Sequence, residues 1–111
     1  MNAAEHCARC EKLLGQPWPE VHAFLDQFFA QFPYEAHRII LHHALGVERV
    51  VALFGPEARK AAILHIRDDM AGLLDTPRDV WRRTVFVKDG DLDRINAILH
   101  ELGLPGTGPR G

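Results

Sequence analysis

The 111-residue chain lacks several features that define common protein classes. It contains no serine, which excludes serine-nucleophile hydrolysis. Its two cysteines, Cys7 and Cys10, are too few and too close together for the disulfide framework of a small secreted domain. The longest uninterrupted apolar run, residues 50–54, falls far short of the roughly 18 residues that a membrane helix needs. We therefore expect a soluble, cytoplasmic protein that does not enter the membrane.

The chain also lacks an excess of positive charge. Thirteen Lys and Arg stand against fifteen Asp and Glu, for a net charge of -2, and no basic stripe is visible. Proteins that bind nucleic acid neutralise phosphates with clustered basic residues. Nucleic acid is therefore not an expected partner.

Helical periodicity covers most of the chain, and alternating strand patterns are missing. We expect an all-α fold, a compact bundle of about five to six helices, with one domain over 1–103 and a flexible tail rich in Gly and Pro over 104–111. The predicted helices span about 2–15, 19–32, 35–45, 56–74 and 91–103, with shorter helical segments over 47–54 and 76–81.

Sequence signals mark several helix ends. Asn2 with Glu5 forms a predicted capping box, and Thr76-Pro77 predicts another helix start. We expect Gly46 to end the third helix as a left-handed cap and Asp91 to cap the last helix.

Residues 84–88, Thr-Val-Phe-Val-Lys, form the one strand-like segment of the sequence. One short strand cannot form a sheet alone. The segment is therefore either an extended loop or a strand that pairs with a second copy of the chain, which would give a homodimer.

Histidine is the residue type in excess, with seven copies. Two of them stand four residues before an aspartate, His22 before Asp26 and His65 before Asp69, and residues at this spacing share one face of a helix. The two side chains of such a pair can bind one cation, or the carboxylate can orient the imidazole, or the pair can be a solvated surface contact. Small residues on the face of His65 favour its close packing against another helix.

The predicted third helix carries His37, Arg38, His42 and His43 within seven residues. On an ideal helix His37 lies about 140 degrees from His42 and about 120 degrees, in the other sense, from His43. The three imidazoles cannot then face one point. We expect His37 and one of the adjacent pair to point inward.

Cys7 and Cys10 form a CxxC segment without a second cysteine pair. The ligand set of a structural zinc site is therefore incomplete, and no strand precedes the segment as in a thioredoxin-like motif. Cys10 stands at the spacing of a ligand pair with His6, but two unreactive thiols on a helix face are the favoured interpretation of the segment.

The order of these motifs resembles a family of small bacterial and phage proteins of unknown function. The shared pattern is His-Arg, three residues, His-His, two residues and Gly, here His37 to Gly46, followed by His65, three residues, Asp69 and a turn with Thr76. The resemblance covers roughly residues 6–81. It implies motif positions for His22, His37, His42, His43, His65 and Asp69, and it implies no activity. The chain departs from the pattern in a short connection before His65 and in its two cysteines.

These observations give a metal-site hypothesis. A divalent transition metal (zinc, iron, manganese or nickel) would be held between helices, and a bound water would support hydrolysis. The predicted ligands are His37, His42, His43, His65 and Asp69, and the predicted residues around them are His22, Asp26, Arg38 and Asp68.

The alternative hypothesis is a non-catalytic interaction or adaptor protein. In that case the histidines would form a structural hydrogen-bond network with Arg38, Asp26 and Asp69, without a metal. The sequence gives no substrate under either hypothesis.

Overall fold

The computed structural model describes residues 1–108 and has seven α-helices and one 3-10 turn over that range. The predicted all-α class is confirmed, but the predicted count of five to six helices is too low. The helices are α1 (Ala3–Leu14), α2 (Pro19–Leu25), α3 (Arg38–Leu41), α4 (Ala44–Phe54), α5 (Arg59–Met70), α6 (Pro77–Arg83) and α7 (Asp89–Glu101), and the 3-10 turn is Pro56–Ala58.

Two predicted helix starts are confirmed, and both have capping boxes, of which the first was predicted from the sequence. The Asn2 side chain accepts a hydrogen bond from the Glu5 backbone at the start of α1, and the Thr76 side chain accepts one from the Asp79 backbone at the start of α6. In both boxes the acidic side chain accepts a hydrogen bond from the backbone N–H of the capping residue. These local signals therefore fix where α1 and α6 begin.

The second helix is shorter than its sequence predicts from an apolar stripe at helical spacing, Val21, Phe24, Leu25, Phe28 and Phe32. α2 ends at Leu25, and turns cover most of the segment from there to α3. Phe32 is still buried in these turns. The stripe therefore predicts burial correctly, but the helix prediction is wrong after residue 25.

The predicted third helix is broken at its two adjacent histidines. α3 ends at Leu41, His42 takes a non-helical conformation, and His43 is extended and caps α4 by accepting a hydrogen bond from the Gly46 backbone. Gly46 is therefore not a left-handed cap, and it lies in the first turn of α4. A Cβ at Gly46 would lie 1.7 Å from the carbonyl oxygen of Leu41, so the close approach of the two helices requires glycine.

The strand prediction for residues 84–88 is not supported, because the described part of the chain contains no strand. Thr84 ends α6, and the side chains of Val85 and Phe86 are exposed. A single short run has no neighbouring strand to supply hydrogen bonds. The homodimer contact through this segment stays a prediction. α7 begins at Asp89 rather than after Asp91.

The segment after α7 packs on the bundle as far as Thr107, a residue of the predicted tail. Thr107 is buried, and its backbone donates a hydrogen bond of 2.8 Å to the Asn96 side chain. Residues 109–111 of the predicted tail lie outside the part of the chain that the structure describes.

Helix α5 lies at the centre of the bundle, in contact with α1, α2 and α4. Ala58, Ala61 and Ala62 are fully buried, and these small side chains allow the other helices to approach α5 closely. No helix in residues 1–108 is long and apolar enough to cross a bilayer. The packing brings the histidine-bearing faces of α1, α2 and α5 together.

Candidate metal centre

Four side chains from three parts of the fold meet beside α5. His65 and Asp69 are four residues apart on α5, Asp26 ends α2, and His42 follows α3. One ligand atom from each of the four lies within 4.8 Å of the ligand atoms of the other three. His42 and His65 are fully buried, and the Asp69 side chain is 5% exposed. The i, i+4 pair on α5 was predicted as part of the site, and the structure shows what it faces.

The distances within this group match a metal coordination sphere. His42 Nε2 lies 3.4 Å from Asp26 Oδ1 and 3.1 Å from Asp69 Oδ2. His65 Nε2 lies 3.1 Å and 3.3 Å from the same two oxygens. In a tetrahedral zinc site with bonds of roughly 2.0–2.1 Å, neighbouring ligand atoms are about 3.3 Å apart. Four of the six edges of the tetrahedron therefore have the expected length.

One hydrogen bond pairs each imidazole with a carboxylate, His42 with Asp69 and both His37 and His65 with Asp26, but these bonds do not use the second close contacts of His42 and His65. Asp26 Oδ1 has three imidazole nitrogens within 3.4 Å, the Nε2 atoms of His37, His42 and His65. The Nε2 atoms of His42 and His65 each face two carboxylates, but an imidazole nitrogen carries one hydrogen. A cation would interact with both carboxylates and both nitrogens at once.

The hydrogen bonds on the other side of His65 fix its tautomer. His22 Nε2 lies 2.9 Å from the Pro17 carbonyl oxygen, which only accepts, so His22 donates from Nε2. Neutral His22 then accepts at Nδ1, where His65 Nδ1 lies 2.9 Å away and donates. Neutral His65 consequently presents the Nε2 lone pair to two carboxylates. That lone pair needs either a proton or a metal ion.

The electrostatics agree with a site that holds positive charge. Burial alone would raise the pKa values of Asp26 and Asp69, but imidazole hydrogen bonds hold both pKa values well below their usual range. Burial would likewise lower the pKa of His65, but Asp26 and Asp69 raise it. Both carboxylates are therefore ionised and available as ligands at neutral pH.

Two further histidines hold the carboxylates from outside the group. His37 Nε2 donates to Asp26 Oδ1 at 3.3 Å. His6 Nε2 lies 3.3 Å from Asp69 Oδ1, the oxygen that does not face the group of four. Contacts of this kind orient ligating carboxylates in metal proteins. His37, expected from the sequence as a ligand, thus contacts a ligand in the structure.

His6, His22 and His65 form a second group whose ligand atoms also lie within 4.8 Å of one another. The rings of His6 and His65 are stacked, with centroids 3.8 Å apart. Within this group the Nδ1 atoms of His22 and His65 are close enough for a direct hydrogen bond. We therefore interpret this group as support for His65.

The remaining predicted residues do not contribute atoms to the group of four. Both ring nitrogens of His43 are used elsewhere, because Nε2 donates to the Ile40 carbonyl and Nδ1 accepts from Gly46. Asp68 Oδ2 accepts from Arg9 Nε at 2.6 Å on a more exposed face. Arg38 lies beside the centre, and its nearest acidic contact is Glu35 at 3.8 Å.

Two residues make more contacts at the centre than the sequence predicts, Asp26 and His6. Asp26 was expected to orient a histidine, but it supplies one of the four converging atoms. His6 was considered only with Cys10, and both side chains are buried on the same face of α1. The i, i+4 spacing of His6 and Cys10 was the available signal, and it marks a face packed against α5.

Comparisons with known proteins identify the family. No curated protein and no solved structure matches the chain. The family model named "Domain of unknown function (DUF6915)" matches residues 1–88, a span that contains Asp26, His42, His65 and Asp69. This match agrees with the expectation of an uncharacterised family. Since the match covers most of the sequence, the chain belongs to the DUF6915 family of domains of unknown function.

Proposed function

We propose that this protein binds one divalent transition metal through Asp26, His42, His65 and Asp69. The observation that carries the proposal is the convergence of two Nε2 atoms and two carboxylate oxygens at the spacing of a coordination sphere. Imidazole with carboxylate suits zinc, iron, manganese and nickel. The hydrogen-bond chain from Pro17 through His22 supports the proposal, since it directs the lone pair of His65 toward the centre.

The test is elemental analysis of protein purified without a metal-affinity tag, followed by metal titration of the chelator-treated protein. We expect about one tightly held metal per chain, and about 4 kcal/mol of added stability when free metal is a thousandfold above Kd. Asp69→Asn and His65→Ala should abolish binding. His100→Ala, which removes an exposed histidine of α7, should not change it.

Asp69→Asn keeps the size of a buried side chain, so loss of binding in a variant that still folds identifies a missing ligand. Folding is checked by circular dichroism of each metal-free variant. The proposal would be overturned if the melting temperature of the metal-free protein did not change on addition of zinc, nickel, manganese or iron. The buried histidines would then be a structural hydrogen-bond network, as expected of an interaction protein.

Hydrolysis is the reaction that we propose for the loaded centre, and a cavity favours it. A space of about 180 Å³ reaches Asp69 and gives water a path to the site. The four proposed ligands would fill a tetrahedral sphere, so catalysis would need a metal that takes a fifth ligand, and a water held there would have its pKa lowered toward neutral. Asp68 does not serve as the base in this proposal, because it is paired with Arg9. The test compares turnover of p-nitrophenyl esters by loaded protein, metal-free protein and Asp69→Asn. Equal turnover by all three would contradict it.

A further inference from the structure

The cavity at Asp69 has two arginines in its wall. Its lining includes Arg38 at the start of α3 and Arg83 at the end of α6, together with Glu35 and Asp69. These four residues come from three separate segments of the chain. The cavity therefore places guanidinium groups beside a carboxylate that we propose as a metal ligand.

The arginines of this cavity make few polar contacts within residues 1–108. Arg38 Nε is buried and has no hydrogen-bond partner, and the nearest carboxylate to its guanidinium, Glu35, is 3.8 Å away. Arg83 forms no ion pair within residues 1–108. A buried donor without a partner costs free energy, which a ligand that accepts its hydrogen bond would recover. The unpaired Arg38 Nε is therefore a donor available to an anionic ligand in the cavity.

We propose that this cavity binds the phosphate group of a substrate between the metal, Arg38 and Arg83. The inference rests on the proposed metal centre, because Asp69 and Glu35 would repel an anion unless a cation compensated them. A tetrahedral oxyanion offers separate oxygens to a metal and to two guanidinium forks. The substrate class is therefore a phosphate ester whose terminal group enters the cavity.

The size of the cavity limits how much of the ligand is enclosed. About 180 Å³ corresponds to the volume of about six water molecules, below the roughly 300–1,000 Å³ of pockets that enclose drug-sized ligands. A phosphate group fits this space, and the remainder of the ester lies outside it. Recognition is consequently directed at the anionic group.

The experiment is calorimetric titration of inorganic phosphate into protein loaded with one equivalent of manganese and dialysed free of excess metal. Loaded protein should bind phosphate, and metal-free protein should bind it at least about tenfold more weakly. Arg38→Gln and Arg83→Gln should each weaken binding about tenfold or more, as expected for loss of a hydrogen bond to a charged group. Arg82→Gln is the matched control, since Arg82 lies next to Arg83 in α6 but lines other cavities.

The metal content of each sample is measured in parallel, so the two proposals fail separately. Loaded protein that does not bind phosphate overturns this inference and leaves the metal centre intact. Protein that takes up no metal overturns both proposals. Equal weakening by Arg82→Gln and Arg83→Gln would reduce the effect to net charge and also overturn the inference. Arg83 is exposed, so its variant remains informative if Arg38→Gln does not fold.

Discussion

At the scale of single residues, His65 shows how one imidazole can join two environments. Its Nδ1 faces His22 at 2.9 Å, and its Nε2 faces two carboxylates. The Pro17 carbonyl sets the direction of this chain of hydrogen bonds, since an oxygen acceptor fixes which nitrogen of His22 carries the hydrogen. In the proposed metal centre, His22 therefore acts through His65 as a positioning residue.

Replacing His22 tests this role with two residues of similar size. His22→Asn keeps an acceptor near the position of Nδ1, and His22→Leu removes it. We expect His22→Leu to weaken metal binding about ten- to hundredfold, the usual effect of losing a partner of a ligating histidine, and His22→Asn to stay within about threefold. Calorimetric metal titration measures the affinities, and ¹⁵N NMR of the imidazoles reports the tautomer of His65.

The NMR signature separates positioning from simple stability. In the wild type and in His22→Asn, His65 should carry its hydrogen on Nδ1 when metal is bound. Identical losses of affinity in the Asn and Leu variants, with an unchanged tautomer, would show that His22 only fills space.

At the scale of helices, the break between α3 and α4 decides which histidines reach the centre. An unbroken helix over 35–45 would point His37 and His42 in different directions. The break gives His42 a non-helical conformation, and both side chains then contact Asp26 Oδ1. Gly46 permits this geometry, because any Cβ would collide with the Leu41 carbonyl.

Gly46→Ala should therefore damage both the fold and the site. The colliding atom is backbone and cannot rotate away, so α3 and α4 must separate and move His42. We expect a loss of about 3 kcal/mol in the free energy of unfolding, at the upper end of overpacking effects, and weaker metal binding. Urea denaturation measures the first quantity and metal titration the second.

Gly72→Ala provides the matched control, because a Cβ there meets no atom within 4 Å. Its stability should change by less than about 1 kcal/mol. A Gly46→Ala protein as stable as Gly72→Ala would show that the helices tolerate a wider break than the structure indicates.

These helix boundaries also show which parts of the fold and the site can be predicted from the sequence alone. The starts of α1 and α6 were predictable, because their capping boxes are local hydrogen-bond patterns. The i, i+4 pair His65 and Asp69 was predictable for the same reason. The break at His42 was not, because it depends on the approach of two helices, and the apparent periodicity of residues 35–45 gives no sign of it. The role of Asp26 depended on this break and so was undervalued.

At the scale of the whole molecule, the bundle buries ionisable side chains in an interior shielded from solvent. His6, His22, His37, His42, His43 and His65 are all buried. Folding shifts the pKa values of three of them, His22, His43 and His65, and unfolding restores the ordinary values. The free energy of unfolding of the metal-free protein should depend on pH for this reason.

The sign of this dependence follows from the shifted groups. Burial lowers the pKa values of His22 and His43 from 6.5 to about 4, so between these values the unfolded chain binds protons that the folded chain excludes. The free energy of unfolding should fall as the pH drops from 6.5 to 4, by up to about 1.4 kcal/mol per pH unit for each histidine. Below pH 4, protonation of Asp26 and Asp69 should extend the loss, because their pKa values are lowered in the fold. His65 acts in the opposite sense, since its pKa is raised, and its contribution is lost as the pH rises above 6.5.

Urea denaturation at several pH values, with a chelator present, measures this profile. His43→Asn keeps an oxygen that can accept from Gly46 but removes the titrating group, so the slope between pH 6.5 and 4 should decrease by about 1.4 kcal/mol per pH unit. His100→Asn replaces an exposed histidine and should leave the slope unchanged. A slope that His43→Asn does not reduce would mean that His43 already takes up a proton inside the folded bundle, and that its Nδ1 does not hold the hydrogen bond from Gly46 there.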